Sequence, residues 1–118
     1  METVPNQKLN PKWMELSVDQ EPIRNGYGRG LVKAGRADDQ VVAVCADLTE
    51  STRTEAFAQE FPERFFQVGV AEQNLVTVGS GLAAAGKIPF VTSYAIFSPG
   101  RNWEQIRTTV CYNKVNLK

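Results

Sequence analysis

Apolar residues recur along this chain in two alternating modes: short continuous runs, and longer stretches spaced by three and four. From Ile23 the spacing is helical, with Ile23, Tyr27, Leu31 and Ala34 on one face. Val41 to Ala46 is an unbroken apolar run rich in valine, as expected of a strand covered on both faces. Asp47 to Thr52 is polar loop. Thr52-Arg53-Thr54-Glu55 then fits a capping box, and Phe57 and Phe61 stack at i, i+4 before Pro62 ends the helix. Phe65 to Val68 predicts a second strand, and Glu72 to Ala85 a long helix stopped by Gly86. Ile88 to Thr92 predicts a third strand, with Pro89 near its start. Ser93 to Gly100 is loop. Arg101 to Tyr112 predicts a helix whose Trp103, Ile106 and Val110 share a face, and Val115 to Leu117 opens a fourth strand.

Strand alternating with helix argues for an α/β fold, a parallel sheet flanked by helices. Residues 1–21 are polar, with Pro5 and Pro11 and no clear period. They are expected to form an extended arm with a short helical turn near Lys12 to Leu16, leaving 22–118 as the domain. The stop at Lys118, inside a predicted strand, points to a sheet incomplete at the C-terminus. A fragment, or one piece of a divided protein, is expected.

Composition narrows the function. Acids and bases balance at 13 each, so no electrostatic case exists for nucleic acid or an anionic membrane. The mildest stretch, Val76 to Ala85, is too short and too polar to span a bilayer, and the N-terminus lacks the pattern of a signal peptide. Two cysteines cannot staple a domain of this size, and Cys45 sits in an apolar run that favours a buried thiol. A cytoplasmic protein is expected. The chain has no histidine, which removes the usual neutral-pH base, the commonest zinc ligand and any Ser-His or Cys-His pair. No metal site is expected within it.

Three strand exits gather the candidate chemistry. Asp47 and Ser51 follow the first strand, Glu72 lies one turn beyond the second, and Tyr94 and Phe97 follow the third. Ligand contacts commonly sit at this edge of an α/β sheet. Glu72 opens a helix, where the dipole favours a charged acid for structural reasons alone. The same dipole suits a carboxylate meant to accept a proton in a hydrogen bond. Tyr94 and Phe97 either sandwich a planar base or pack beneath the loop. The Gly79, Ser80, Gly81 and Ala83 to Ala85 face of the helix admits either a flat ligand or plain packing on the sheet. Gly26-Tyr27-Gly28-Arg29-Gly30 precedes the first strand instead of following one, so it reads as small residues for close helix packing and not as a phosphate loop.

The run Arg64-Phe65-Phe66-Gln67-Val68-Gly69-Val70-Ala71-Glu72-Gln73-Asn74 resembles the glutamate motif of transketolases, most closely the C-terminal subunit of transketolases encoded as two chains. Ala46-Asp47-Leu48-Thr49, Phe61-Pro62-Glu63-Arg64, Gly81-Leu82-Ala83-Ala84-Ala85-Gly86 and Glu104-Gln105-Ile106-Arg107 are similar to the same family in the same order, from about Arg24 to the last residue. The resemblance implies the pyrimidine-binding domain of a thiamine diphosphate enzyme. Such an enzyme moves a two-carbon ketol unit between sugar phosphates, in the pentose phosphate pathway. Glu72 would hydrogen-bond the ring nitrogen of the cofactor's aminopyrimidine and favour its imino tautomer. Tyr94 and Phe97 match positions that stack on that ring, Asp47 and Leu48 match positions close to the cofactor, and Arg24 and Ser51 match positions that hold the sugar phosphate.

The family binds the diphosphate and a divalent metal such as Mg2+ through a Gly-Asp-Gly motif with a later Asn, which this sequence lacks. The resemblance therefore implies a partner chain carrying the diphosphate-binding domain, and an oligomer. The family's substrate-facing histidine segment is also absent. Ser98-Pro99-Gly100 carries one extra residue relative to many relatives, so Arg101 is not expected to superpose on the family's arginine nearby. Deoxyxylulose-phosphate synthase and the beta subunit of a 2-oxoacid dehydrogenase decarboxylase share parts of the pattern. A catalytically silent remnant serving as a binding module is the alternative of a different class.

Overall fold

In the computed structural model, which describes residues 11–118, the valine-rich run forms the central strand of a three-stranded parallel sheet. Strand β1 (Val41–Cys45) lies between β2 (Phe65–Gln67) and β3 (Ile88–Thr92), giving the order β2-β1-β3. Every residue of β1 is buried, because helices cover both faces. Successive side chains of a strand point to opposite faces. Val41 and Ala43 accordingly pack with Leu31 and Phe57, from helices α1 (Ile23–Ala37) and α2 (Glu55–Glu60). Val44, and Ala46 just past the strand, pack with Leu75 from α3 (Glu72–Ala84) on the opposite face.

Register fixes where the site can be. Cys45 pairs with Gln67 on one side and Thr92 on the other, so the three strands end level and their exits share one edge. Pairing runs slightly past the assigned strands: Ala46 N–H donates to the Thr92 carbonyl at 3.3 Å and Val68 N–H to the Cys45 carbonyl at 3.0 Å. Pro89 is tolerated inside β3 for a geometric reason. Ile88 N–H points toward the β1 side, donating to Gln40, whereas Pro89 turns its backbone the other way. Its missing donor is therefore on the side away from β1.

Other expectations need correcting. The Thr52–Glu55 capping box is not made: neither threonine caps α2, since Thr52 Oγ1 donates to the Leu48 carbonyl (2.7 Å) and Thr54 Oγ1 to the Thr49 carbonyl (3.1 Å). Both hydroxyls satisfy carbonyls of the preceding loop. The predicted helix from Arg101 to Tyr112 is broken into a 3-10 turn (Gly100–Asn102), a single α turn, α4 (Trp103–Gln105), and a π-helical stretch (Ile106–Cys111). Trp103 is exposed and does not share the packed face with Ile106 and Val110. Ile23 is likewise exposed, so the buried face of α1 is Gly28, Leu31 and Gly35. Val115 to Leu117 is not a strand, but the ladder begins one residue later. Lys118 N–H donates to the Pro89 carbonyl and its carbonyl accepts from Val91 N–H, both at 3.0 Å, alongside β3. Of the expected N-terminal arm, residues 1–10 lie outside the described residues. Lys12 to Glu15 forms a turn closed by a 2.9 Å hydrogen bond.

The glycines of α1 divide sharply. A Cβ on Gly28 would stand 2.6 Å from the Arg53 carbonyl oxygen, whereas Gly26 and Gly30 face open space. Gly28 answers to close packing, as does Gly35 further along the helix, where a Cβ would meet the Phe57 ring at 2.6 Å and the Phe61 ring at 2.8 Å. On α3, a Cβ at Gly79 would meet Val91 at 2.5 Å and Leu117 at 2.8 Å, so Gly79 packs closely there, whereas Gly81 faces open space and Ala84 and Ala85 are exposed. Gly28→Ala is expected to destabilise the fold by about 1–3 kcal/mol through overpacking. Gly30→Ala should stabilise it by up to about 1 kcal/mol, through helix propensity alone. Urea unfolding midpoints of the two variants check this; equal effects would contradict it.

Candidate functional site

Where β2 ends, Val68 and Gly69 carry the chain outward, and Gly69 turns with φ +73° so that α3 can start at Glu72. No side chain caps this helix, and Glu72 occupies its first turn. The Glu72 carboxylate is only 4 % exposed. A charged group so enclosed needs donors, since burial without them is costly. Arg101 supplies them: its Nη1 lies 3.2 Å from both carboxylate oxygens. Arg101 itself is half exposed, and its guanidinium carbon sits 4.0 Å above the centre of the Phe97 ring.

The loop after β3 is wound to make this possible. The Tyr94 carbonyl accepts from Phe97 N–H (2.8 Å) and Ser98 N–H (2.9 Å), and the Phe97 carbonyl accepts from Arg101 N–H (2.8 Å). Arg101 thus returns one turn after Phe97, over its ring. Asn102 is fully buried and fastens the loop to the helix, donating from Nδ2 to the Glu72 carbonyl (3.2 Å) and to Ser98 Oγ (3.0 Å). The cleft beside these groups is open, about 550 Å³, and lined by Val70, Ala71, Glu72, Gln73, Asn74 and Arg101.

Tyr94 and Phe97 face each other with centroids 6.2 Å apart and planes 23° from parallel. A base sandwiched between them would need roughly 7 Å, twice the ~3.5 Å contact spacing of stacked atoms. The rings stand too close for that, and a base would stack on one ring only. Phe97 is the ring that shares Arg101 with Glu72.

The remaining candidates sit on the same edge but outside that cleft. Asp47, two residues past β1, is in the left-handed region (φ +58°), which Asp tolerates better than most residues. Its N–H donates to Gln67 Oε1 at 2.6 Å. Gln67 also accepts from Gly69 N–H (3.2 Å) and donates to Thr49 Oγ1 (2.9 Å), so it ties the first two strand exits together. The Leu48 carbonyl is taken by Thr52, and Ser51 is half-buried in the following turn. Arg24 is exposed at the start of α1. That end of α1 reaches the strand exits, because Asn25 accepts from Arg53 Nε (2.9 Å) and Tyr27 hydrogen-bonds Thr92 (2.5 Å). Burial pushes the Tyr27 phenol above its usual pKa, against the lowering by Thr92. The structure therefore brings Glu72 and Phe97 together through Arg101. It sets Asp47, Leu48, Ser51 and Arg24 around the neighbouring exits of the same edge.

Arg101, Asn102 and Gln67 are absent from the sequence-derived site. Gln67 had a readable signal, as a polar residue closing an apolar strand just before the glycine turn. Asn102 had none, and Arg101 only the family's arginine nearby, from which the extra residue in Ser98-Pro99-Gly100 set it apart; the reach of both depends on how that turn winds.

Among the described residues no group of three or more His, Cys, Asp or Glu could hold a metal ion, and no helix is long and apolar enough to cross a membrane. Comparison with known proteins gives consistent matches. The family model described as transketolase, pyrimidine binding domain, matches residues 20–118. A protein of Methanocaldococcus jannaschii named as a transketolase C-terminal section is 48% identical over 105 residues, 89% of this chain and 33% of the relative. The 6-deoxy-6-sulfo-D-fructose transketolase subunit SqwH of Clostridium sp. (strain MSTE9) is 38% identical over 88% of this chain and 32% of its own length. A 1-deoxy-D-xylulose-5-phosphate synthase of Syntrophus aciditrophicus is 46% identical over 80% of this chain and 15% of its own. Among solved structures, a split gene transketolase in an inactive beta4 tetramer superposes with a TM-score of 0.71 at 49% identity, over 80% of this chain and 31% of that one. The chain spans about a third of the length of the transketolase relatives it matches. With that domain matched from residue 20 to the last residue, on a parallel sheet of the same type, the chain belongs to the transketolase pyrimidine-binding domain family.

Proposed function

We propose that this chain forms the aminopyrimidine half of a thiamine diphosphate site in a transketolase divided between chains. Residues 22–118 make up the binding domain in this reading. The observation that carries the reading is Glu72: a carboxylate 4 % exposed, lining an open cleft where parallel strands end and joined through Arg101 to the Phe97 ring. That donor set fits a flat nitrogen heterocycle. When bound, thiamine diphosphate supplies the electron sink for breaking and making the carbon–carbon bond of a ketol transfer.

The chain's own residues place and tune it. Glu72 shares a proton with the pyrimidine ring nitrogen, and burial keeps water from competing for that hydrogen bond. Phe97 offers its face to the ring, with Tyr94 behind or beside it. Asp47 and Leu48 line the cofactor's edge from the β1 exit. Arg24 and Ser51 hold the phosphate of the sugar substrate, Arg24 through its fork of donors. No cluster of carboxylates is present among the described residues to hold Mg2+ with the diphosphate. In this proposal a partner chain bearing the diphosphate-binding domain supplies that half, and the enzyme is an oligomer. The likeness to a split gene transketolase supports the division.

The purified chain alone should transfer no ketol unit from xylulose phosphate to ribose phosphate; measurable transfer without a partner would overturn the divided site. In the complex with its partner, Glu72→Gln should lower the rate by about 10²-fold or more while the complex still assembles, since one positioned proton-transfer group contributes on that order. Undiminished activity would instead favour a silent binding module. A second reading is favoured by the 46% identity to a deoxyxylulose-phosphate synthase. Condensation of pyruvate with glyceraldehyde phosphate, in place of ketol transfer between sugar phosphates, would establish it.

A further inference from the structure

Arg101 meets Glu72 and Phe97 as a flat heterocycle would. Its guanidinium is planar and cationic, directs an N–H donor at both carboxylate oxygens at 3.2 Å, and lays its face on the Phe97 ring at 4.0 Å. A protonated aminopyrimidine held by the same acid and the same ring needs those two contacts, and the guanidinium already fills them. We propose that Arg101 is a displaceable stand-in for the ligand ring, occupying the Glu72–Phe97 position until the ligand takes its place; the claim rests on the reading of Glu72 and Phe97 given above.

The two partners differ in a way that makes exchange workable. Glu72 is almost fully enclosed and is costly to leave without a donor. Arg101 is half exposed, so on release its guanidinium returns to water at little cost. The carboxylate therefore gives up one planar donor only as another arrives, and it never stands buried and unpaired. Arg101 can swing without unfolding the loop, because Asn102, not Arg101, fastens the loop to α3 through the Glu72 carbonyl and Ser98. The alternative role, a positioning residue that stays on Glu72 with the ring bound, predicts the opposite sign of effect when Arg101 is removed.

Thiamine, which carries the aminopyrimidine without the diphosphate, is the probe, titrated by calorimetry into the complex of this chain with its partner and followed by NMR. Arg101→Met keeps the length of the side chain and removes the guanidinium. This variant should bind thiamine about two- to fivefold more tightly than the wild type, the factor set by a half-exposed ion pair that no longer competes. In the wild type the Arg101 side-chain protons should lose the upfield shift from the Phe97 ring as thiamine is added, a readout that does not depend on any variant folding. Equal or weaker binding by Arg101→Met, or Arg101 protons unmoved while thiamine binds, overturns the stand-in and leaves the site itself intact. If thiamine binds neither form, or binds Glu72→Gln as tightly as the wild type, the site reading fails and the stand-in fails with it.

Discussion

A carboxylate enclosed to 4 % exposure obliges its surroundings to supply donors, and the loop after β3 is shaped by that obligation. Arg101 answers the oxygens of Glu72 from one side, and Asn102 ties the same residue's backbone carbonyl to Ser98. The consequence is mechanical as well as electrostatic. Two sequence-distant segments, the first turn of α3 and the 3-10 turn at Gly100–Asn102, are locked together around one acid. An ion pair kept there for stability alone could be replaced as a whole by packed apolar residues at little cost, because such pairs contribute little net stability. The placement of Glu72 in the lining of a cleft gives the acid a use.

The sheet explains why that cleft lies where it does. Parallel strands of matched register end at one edge, and every loop that leaves them starts from the same place. Gln67 binds the first two exits into a unit, and the pairing of Tyr27 with Thr92 brings the start of α1 over the third. Thus Arg24, Asp47, Ser51, Glu72 and Phe97, scattered over more than seventy positions of sequence, gather on one side of a small domain. The faces of the sheet are given over to packing: Phe57, Leu31 and their neighbours on one, Leu75 and Val44 on the other. Structure and chemistry thereby occupy different parts of the same strands.

Much of the fold was legible in the chain because its signals were local and strong. The valine run could only be a doubly covered strand, Gly86 with φ +88° ends α3 where the pattern stops, and Phe57 meets Phe61 at the expected helical spacing, with ring centres 5.0 Å apart. The misread elements are those decided by competition. Thr52 and Thr54 are good capping residues, yet the loop between Asp47 (φ +58°) and Arg53 (φ +64°) offers them carbonyls that win. Nothing in side-chain spacing tells an i→i+5 ladder from an i→i+4 one, so the π stretch from Ile106 was invisible. The candidate site divides in the same way. Glu72 announced itself through its place between a glycine turn and a helix. Arg101, its partner, is set by three backbone hydrogen bonds within a turn, which no motif records.

The most direct test is a structure of the chain, with a partner bearing the diphosphate-binding domain, bound to thiamine diphosphate and Mg2+. A Glu72 carboxylate oxygen should lie within about 2.5–3.0 Å of the pyrimidine ring nitrogen, as a charge-assisted hydrogen bond requires. A pyrimidine seated elsewhere, with Glu72 still closed onto Arg101, would contradict the account.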